Sequence, residues 1–453
     1  MMDEKMANRI EGLLLKEREE SVFCKDAQHS GAGIKCDSAS VSGAVSQRAC
    51  VYCGARVVLN PITDAYHIVH GPIGCASYTW DIRGSLSSGD DLYRNSFSTD
   101  LREEDIIFGG EKRLESAIEG IMENHSPKVI FVYATCIVGV IGDDVEAICK
   151  QAEEKYKVPV IPVMSPGFSG NKSKGYKIAC NALLSLFSRY ETGEKIEKSI
   201  NILGDFNLSG EMWIIKNYLK EIGVKVVSEI TGDASFERLK NASKASYNVV
   251  QCAGSMAYLA KMMEDKYDIP FVKISFVGLD DTRSSLLRIA ALFGDEETIR
   301  RTRDFIKKEE ERVLPTIEMY KKNLQGKKAA IFVGGGFKAI SLIRQFREVG
   351  IETVMVGTQT GKKEDYEVIS NLVNEGTVIL DDANPAELEK FMLEKGADIL
   401  VGGVKERPLA YKLGVAFCDH NHERKHPLGG FDGAINFAKE INLSINNPVW
   451  KYV

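Results

Sequence analysis

The sequence lacks the features by which membrane, secreted and nucleic-acid-binding proteins are usually recognised. No run reaches the roughly 18 apolar residues that a membrane-spanning helix needs, and the charged N-terminal stretch has no apolar core of a signal peptide. Charge is nearly balanced, with 58 basic and 64 acidic residues among 453. This balance gives no indication of nucleic acid or a membrane as partner. We therefore expect a cytoplasmic protein.

Familiar metal and nucleotide motifs are also missing. Cys50 and Cys53 form a C-x-x-C pair, but no second pair follows at zinc-ribbon spacing, and the tight cysteine run of a bacterial ferredoxin is absent. Because a reducing compartment disfavours disulfides, the ten cysteines indicate metal binding or catalysis. If these thiols bind metal, tertiary structure must bring them together.

Three cysteines stand at positions from which a fold could make them converge. Cys50 precedes an apolar segment, and Cys75 ends a Gly-Pro-Ile-Gly turn in which Gly71 and Gly74 leave room for a bulky ligand. Cys136 follows an apolar run typical of a buried strand, so its thiol should lie at the carboxyl end of that strand. We interpret this set as a metal-cluster site.

A fourth cysteine, Cys252, also follows an apolar strand pattern and opens a helical one. A helix N-terminus favours the thiolate, which is the form that ligates metal. The alternative is a small buried thiol, the commoner role of a lone cysteine.

A glycine turn and an arginine are candidate anion contacts. Gly335 and Gly336 lie between a strand and a helix pattern, where their N–H groups could meet an anion, and Lys338 adds positive charge. The turn is neither G-x-G-x-x-G nor a Walker A loop, so no nucleotide is indicated. Arg83, shortly after Cys75, could face the same ligand. Each of these residues could equally be an ordinary surface group.

Two zinc hypotheses stay open. One places zinc in the histidine-rich stretch 418–426, which could also be a solvated loop. The other is a structural zinc protein that uses four cysteines near the N-terminus, namely Cys24, Cys36, Cys50 and Cys53.

Beyond the first 50 residues, short β-branched runs alternate with helical patterns, which predicts βαβ units and parallel sheets. Polar segments at 190–198 and 295–324 suggest boundaries. We predict an N-terminal arm (1–49), domain I (50–198, completed by 426–453), domain II (199–324) with Cys252, and domain III (325–425) with the glycine turn. The predicted strands are 128–134, 158–163, 199–203, 224–229, 247–251, 270–276, 328–333, 352–357, 376–380, 397–402 and 414–418.

Several of these stretches, taken together and in order, resemble the nitrogenase component 1 family over about residues 24–437. They are Cys50, His67–Cys75, Trp80–Gly89, Asp91–Arg94, Thr135–Cys136, Ile141–Asp144 and Val250–Cys252. The resemblance implies an α/β fold of three Rossmann-like domains, each a mostly parallel sheet flanked by helices, around a central cluster cavity.

The resemblance also implies roles for the cysteines. Residues matching Cys50, Cys75 and Cys136 hold a [4Fe-4S] cluster at the interface with a NifN-like partner chain, in an α2β2 heterotetramer. A cubane needs a fourth ligand, which the partner would supply. The residue matching Cys252 holds an iron–sulfur–carbide precursor of the iron–molybdenum cofactor. The roles of Cys24, Cys36 and Cys53 stay open.

Further expectations follow from the same resemblance. Arg83, Gly335, Gly336 and Lys338 would line the cavity and balance the anionic cluster and its homocitrate. Molybdenum and homocitrate would be inserted there with the help of the nitrogenase Fe protein, after delivery of the precursor by a NifB-type cluster donor and carrier proteins.

Within the family, the chain is most similar to the cofactor-assembly branch, whose members are scaffolds rather than free-standing enzymes. The catalytic α subunit carries Gly-His-His where this chain has Gly175–Lys177, and a histidine ligand where Asn421 falls. Loss of that histidine would leave Cys252 as the permanent anchor. His420 and His422 flank Asn421, and the C-terminal stretch 445–450 resembles the catalytic subunit, so dinitrogen reduction is the alternative. Dark-operative protochlorophyllide reductase shares the interface cysteines but would not need Cys252.

Overall fold

The computed structural model describes residues 16–25, 33–36, 49–80, 86–89, 95–191, 193–421 and 423–452. Their contacts divide the chain into two compact units. The first contains residues 49–274 and 289–298, and the second contains residues 1–48, 275–288 and 299–453. In the described part of the chain, no helix has both the length and the apolar character needed to cross a membrane.

The strands are numbered along the chain. They are β1 Val22–Cys24, β2 Ala65–His70, β3 Ser96–Ser98, β4 Val129–Ala134, β5 Val160–Met164, β6 Ser199–Leu203, β7 Lys225–Ile230, β8 Tyr247–Val250, β9 Phe271–Lys273, β10 Lys328–Val333, β11 Glu352–Thr358, β12 Val378–Asp381, β13 Ile399–Gly402 and β14 Ala416–Asp419.

The α-helices are numbered in the same way. They are α1 Val51–Leu59, α2 Ile73–Trp80, α3 Glu103–Phe108, α4 Glu111–Asn124, α5 Cys136–Ile141, α6 Val145–Tyr156, α7 Lys172–Ser188, α8 Glu211–Glu221, α9 Phe236–Leu239, α10 Ala253–Tyr267, α11 Leu279–Leu292, α12 Glu296–Leu324, α13 Gly336–Glu348, α14 Lys363–Leu372, α15 Pro385–Lys395, α16 Arg407–Lys412 and α17 Gly430–Ile445.

The first unit contains two parallel four-stranded sheets, in the orders β3-β2-β4-β5 and β7-β6-β8-β9. Every residue of β4 and of β6 is buried, as expected of parallel strands that helices cover on both faces. Buried side chains of α1, α7 and α10 join those of both sheets in one hydrophobic core. This shared core makes the two sheets parts of one body.

The second unit is built on a six-stranded sheet in the order β1-β12-β11-β10-β13-β14. All pairings are parallel except that of the edge strand β1, which runs antiparallel to β12. Arg18, just before β1, donates to Glu387 over 3.0 Å. Part of the predicted mobile arm is therefore an ordered edge strand, while residues 1–15, 26–32 and 37–48 of the arm lie outside the described residues.

The α/β fold with parallel sheets is confirmed, and a strand lies within or close to each of the predicted strand ranges. The domain boundaries stay a prediction. We expected residues 426–453 to complete domain I, but the contacts assign this segment to the second unit. The reason lies in the apolar face of α17, where the ring of Phe437 packs 5.2 Å from that of Phe346 and 6.1 Å from that of His420.

Candidate cluster sites

Three of the predicted metal ligands begin helices of the first unit. Cys50 is the N-cap of α1, Cys75 lies in the first turn of α2, and Cys136 is the first residue of α5, directly after β4 and Thr135. Cys50 and Cys136 are exposed and Cys75 is half-buried. Free N–H groups at helix starts favour negative charge, so these positions suit thiolates and an anionic cluster.

Gly167 lies between two of these thiols. Its N–H donates to Cys136 Sγ over 3.1 Å, and Cys50 pairs with Asn171 in an isolated β-bridge. A Cβ on Gly167 would lie 3.0 Å from Cys136 Sγ and 3.3 Å from Cys50 Cβ. The sequence analysis did not identify Gly167 as a site residue, because only the fold brings it into contact with the thiols.

The third thiol belongs to the same group. Burial raises the pKa of Cys75, and the neighbouring thiols of Cys136 and Cys50 raise it further. Among the described residues, no three His, Cys, Asp or Glu side chains converge closely enough to hold a single metal ion. In a cubane each cysteine binds a different iron, so the sulfurs stand further apart than ligands of one ion.

A buried hydrogen-bond network holds the turn that leads to Cys75. His70 bonds to Asp143 Oδ2 and to Thr99 Oγ1, each over 3.0 Å, and its carbonyl accepts the hydroxyl of Thr135 over 2.9 Å. Burial lowers the pKa of His70, and the Asp143 carboxylate opposes this shift. The network joins the ends of β2 and β4, the strands that precede Cys75 and Cys136.

The two glycines of this turn differ in role. A Cβ on Gly71 would lie 2.0 Å from Thr135 Oγ1, so Gly71 is required for packing against the next strand rather than for access by a ligand. Gly74 has open space around it, as we expected of a position beside a bulky group.

Cys252 is the N-cap of α10 and is half-buried at the carboxyl end of β8. A Cβ on Gly204, whose φ is +89°, would lie 2.7 Å from Cys252 Cβ. The side chain of Gln251 donates to Asp205 Oδ2 over 2.9 Å. The cysteine is thereby fixed against the end of β6, and open α/β sheets bind ligands in the crevice outside such strand ends.

Helix α7 connects the triad to Cys252. It contacts α1 near Gly175, and Cys180 on α7 donates to the carbonyl of Ser255 on α10 over 3.4 Å. Burial raises the pKa of Tyr176, and the thiols of both Cys252 and Cys53 contribute to the shift. Tyr176 therefore lies between the helix that Cys50 caps and the helix that Cys252 caps.

The predicted anion contacts of domain III lie in the second unit. Gly335 is the N-cap of α13 and has open space around it, whereas a Cβ on Gly336 would meet the side chain of Asp365 at 2.4 Å. Lys338 Nζ donates to the carbonyl of His420 over 2.5 Å. Whether Gly335, Gly336 and Lys338 contact an anion stays a prediction.

His420 is buried and packs on Phe437, and no described residue forms a hydrogen bond with either of its ring nitrogens. Burial lowers the pKa of His420 well below its usual value, and the charges of Lys338 and Arg424 act in the same direction. Arg83 and His422 lie outside the described residues. Neither zinc hypothesis finds a ligand group in the part of the chain that the structure describes.

Comparison with known proteins defines the family to which this chain belongs. The profile of the family described as nitrogenase component 1 type oxidoreductase matches residues 50–446, and the chain belongs to this family. A solved structure titled "Nitrogenase Cp1 at pH 6.5" superposes with a TM-score of 0.90, at 30% identity, and 98% of each chain is covered.

Two curated relatives are more similar in sequence to this chain than the solved structure is. The chain is 67% identical, over 97% of both chains, to a protein of Clostridium pasteurianum named nitrogenase iron-molybdenum cofactor biosynthesis protein NifE. It is 51% identical, again over 97% of both, to a protein of the same name from Methanosarcina barkeri.

Proposed function

We propose that this chain is a scaffold subunit for assembly of the nitrogenase iron–molybdenum cofactor. The observation that carries the proposal is the presence of two separate thiol sites in one body, the group of Cys50, Cys75 and Cys136 and the single thiol of Cys252. Assembly is favoured over dinitrogen reduction because the relatives at 67% and 51% identity are named as biosynthesis proteins, whereas the nitrogenase structure shares 30%.

In this proposal Cys50, Cys75 and Cys136 hold a [4Fe-4S] cluster, which supplies an electron relay when bound. The N–H of Gly167 supports the thiolate of Cys136 by a hydrogen bond of the kind that tunes metal–sulfur sites. The fourth ligand comes from a NifN-like partner chain. Two exposed apolar side chains, Val140 on the helix that Cys136 begins and Phe168 directly after Gly167, are 74% and 64% exposed and suit burial by that partner.

Cys252 would hold the cargo, an iron–sulfur–carbide precursor, through one thiolate. A cluster anchored at one end can be remodelled and then released. Arg83, Gly335, Gly336 and Lys338 would contact the anionic cargo and homocitrate while molybdenum is inserted. The nitrogenase Fe protein would deliver electrons, and a NifB-type donor and carrier proteins would deliver the precursor to an α2β2 complex in the cytoplasm.

Two substitutions test this division of roles in the complex purified with its partner. Cys252→Ala should leave the interface cluster and assembly intact and abolish retention of precursor. Cys75→Ala should instead reduce iron and sulfide at the interface. Cys149→Ala is the control, because Cys149 is a buried thiol on α6.

The readouts are anaerobic iron, sulfide and molybdenum content, and transfer of matured cofactor to cofactor-free nitrogenase. Normal maturation by the Cys252→Ala complex would exclude the anchoring role. Dinitrogen reduction by the wild-type complex, with cofactor retained, would show a catalytic subunit instead.

A further inference from the structure

The first unit contains a buried arginine, and no carboxylate of the described residues is paired with it. The side chain of this residue, Arg56 on α1, is 1% exposed. Within the described residues its Nε and Nη1 have no hydrogen-bond partner, while Nη2 contacts Ser96 Oγ. Its guanidinium lies 5.3 Å from the ring centroid of Tyr133. Since burial of an unpaired charge is costly, this arginine requires a negative group nearby.

The polar neighbours of Arg56 do not provide that charge. Burial raises the pKa of Tyr133 to about 12, so its hydroxyl is neutral. This hydroxyl lies 3.0 Å from Nδ1 of His67, and burial together with the Arg56 charge lowers the pKa of His67 well below its usual value. His67 is therefore a neutral imidazole. The second ring nitrogen of His67, Nε2, likewise has no hydrogen-bond partner among the residues that the structure describes.

The positions of Arg56, Tyr133 and His67 indicate where the negative charge belongs. Arg56 lies six residues after Cys50 on the helix that Cys50 caps, about 9 Å along the axis. Tyr133 precedes Cys136 by three residues on β4, and His67 is on β2, which leads into the turn of Cys75. Arg56 thus lies on the helix that Cys50 caps, and its two neighbours lie on the strands that precede the other two thiols along the chain.

We propose that Arg56 is the buried counter-charge of the interface cluster, a fixed cation that stabilises the cluster and raises its reduction potential. A cubane with thiolate ligands is an anion, and reduction adds a further negative charge. In the low dielectric of the interior a guanidinium acts over this distance more strongly than in water. The inference rests on the proposed interface cluster. Arg56 would act on the cluster by its field, not as a ligand.

The test compares Arg56→Met and Arg56→Gln, which remove the charge, with Arg56→Lys, which keeps it, in the complex with its partner. Two quantities are measured: the midpoint potential of the cluster in an EPR-monitored redox titration, and the rate of iron loss to a chelator. We expect the neutral variants to shift the potential to more negative values and to lose iron about tenfold faster, as for other groups that support metal ligands. Arg56→Lys should stay close to wild type.

The stability of the iron-free complex distinguishes a counter-charge role of Arg56 from a role in folding. Removal of an unpaired buried charge should leave the thermal midpoint of the iron-free complex unchanged or raise it. A wild-type potential and rate of iron loss in Arg56→Met would overturn the proposal. So would iron-free neutral variants that unfold while Arg56→Lys folds, since this would show that the protein needs the charge for folding even without a cluster.

The proposed function fails in a different way. If the wild-type complex and Cys75→Ala contain the same iron and sulfide, there is no cluster at the thiols for Arg56 to act on. If instead Cys75→Ala removes a cluster that the wild type contains, but substitution of Arg56 leaves the potential of that cluster unchanged, only the counter-charge proposal is refuted.

Discussion

Gly54 and Gly175 lie where α1 and α7 cross in direct backbone contact. A Cβ on Gly175 would lie 2.0 Å from the carbonyl oxygen of Val51, and one on Gly54 would lie 2.2 Å from that of Lys172. No side chain fits between the two helices at this point. Because Cys50 caps α1, the crossing fixes the position of its thiol relative to the rest of the first unit.

Gly175→Ala should therefore destabilise the protein by about 1–3 kcal/mol or more, because the added methyl group forces the helices apart. Denaturant unfolding and the iron content of the complex would both report the change. Gly120→Ala, in α4 with open space around the glycine, is the control and should raise stability by about 0.5–1 kcal/mol. Equal stability of Gly175→Ala and wild type would contradict the close crossing.

Gly167→Ala should impair the interface cluster more than the fold. Its methyl group would lie against Cys136 Sγ and Cys50 Cβ, in space that a bound cluster requires. We expect lower iron and sulfide content with little change in the thermal midpoint of the iron-free protein. Full cluster content in this variant, with Gly120→Ala again as control, would show that Gly167 does not border the cluster.

The cysteines should differ in reactivity towards iodoacetamide in the iron-free chain. Cys24, Cys50 and Cys136 are exposed, so they should be alkylated first. Burial raises the pKa of Cys149 and of Cys180 to about 12, and both should stay unmodified until the protein unfolds, because the thiolate is the reactive form. Peptide mass analysis over time measures the order. Early modification of Cys180 would contradict its buried position against Ser255.

Glu348 should make stability depend on pH. It accepts the N–H groups of Leu279 and Asp280 at the start of α11, each over 2.9 Å. Burial raises the pKa of Glu348 from 4.5 to about 7, and the nearby carboxylates of Asp280 and Asp281 raise it too. Since the folded protein holds this proton more tightly than the unfolded chain, the stability it contributes is full below about pH 4.5 and is lost as the pH rises to about 7.

The expected loss is on the order of 1–3 kcal/mol across that window. Glu348→Gln should flatten this part of the pH profile of the unfolding free energy, whereas Glu375→Gln, at an exposed position, should leave it unchanged. A wild-type slope in Glu348→Gln would mean that another group titrates.

Strands were the most predictable part of this fold. Buried parallel strands are continuous apolar runs, and runs such as 328–333 coincide with their strand, β10. The missed strands are β1, β2 and β3. Two of these are short edge strands, and β2 carries two buried histidines that interrupt its apolar pattern. The assignment of the C-terminal helix to the second unit depended on contacts of Phe437 that periodicity does not show.

The sequence by itself determined which reactive groups this protein has, namely the thiols of Cys50, Cys75, Cys136 and Cys252. It also indicated that Cys136 and Cys252 follow the carboxyl ends of strands. Only tertiary structure decided the surroundings of these thiols. The approach of Gly167 to two thiols, the contact of Gly71 with Thr135 and that of Arg56 with Tyr133 all join residues that are distant along the chain. Backbone clearance and burial depend on which segments pack together, and the local sequence pattern does not specify that packing.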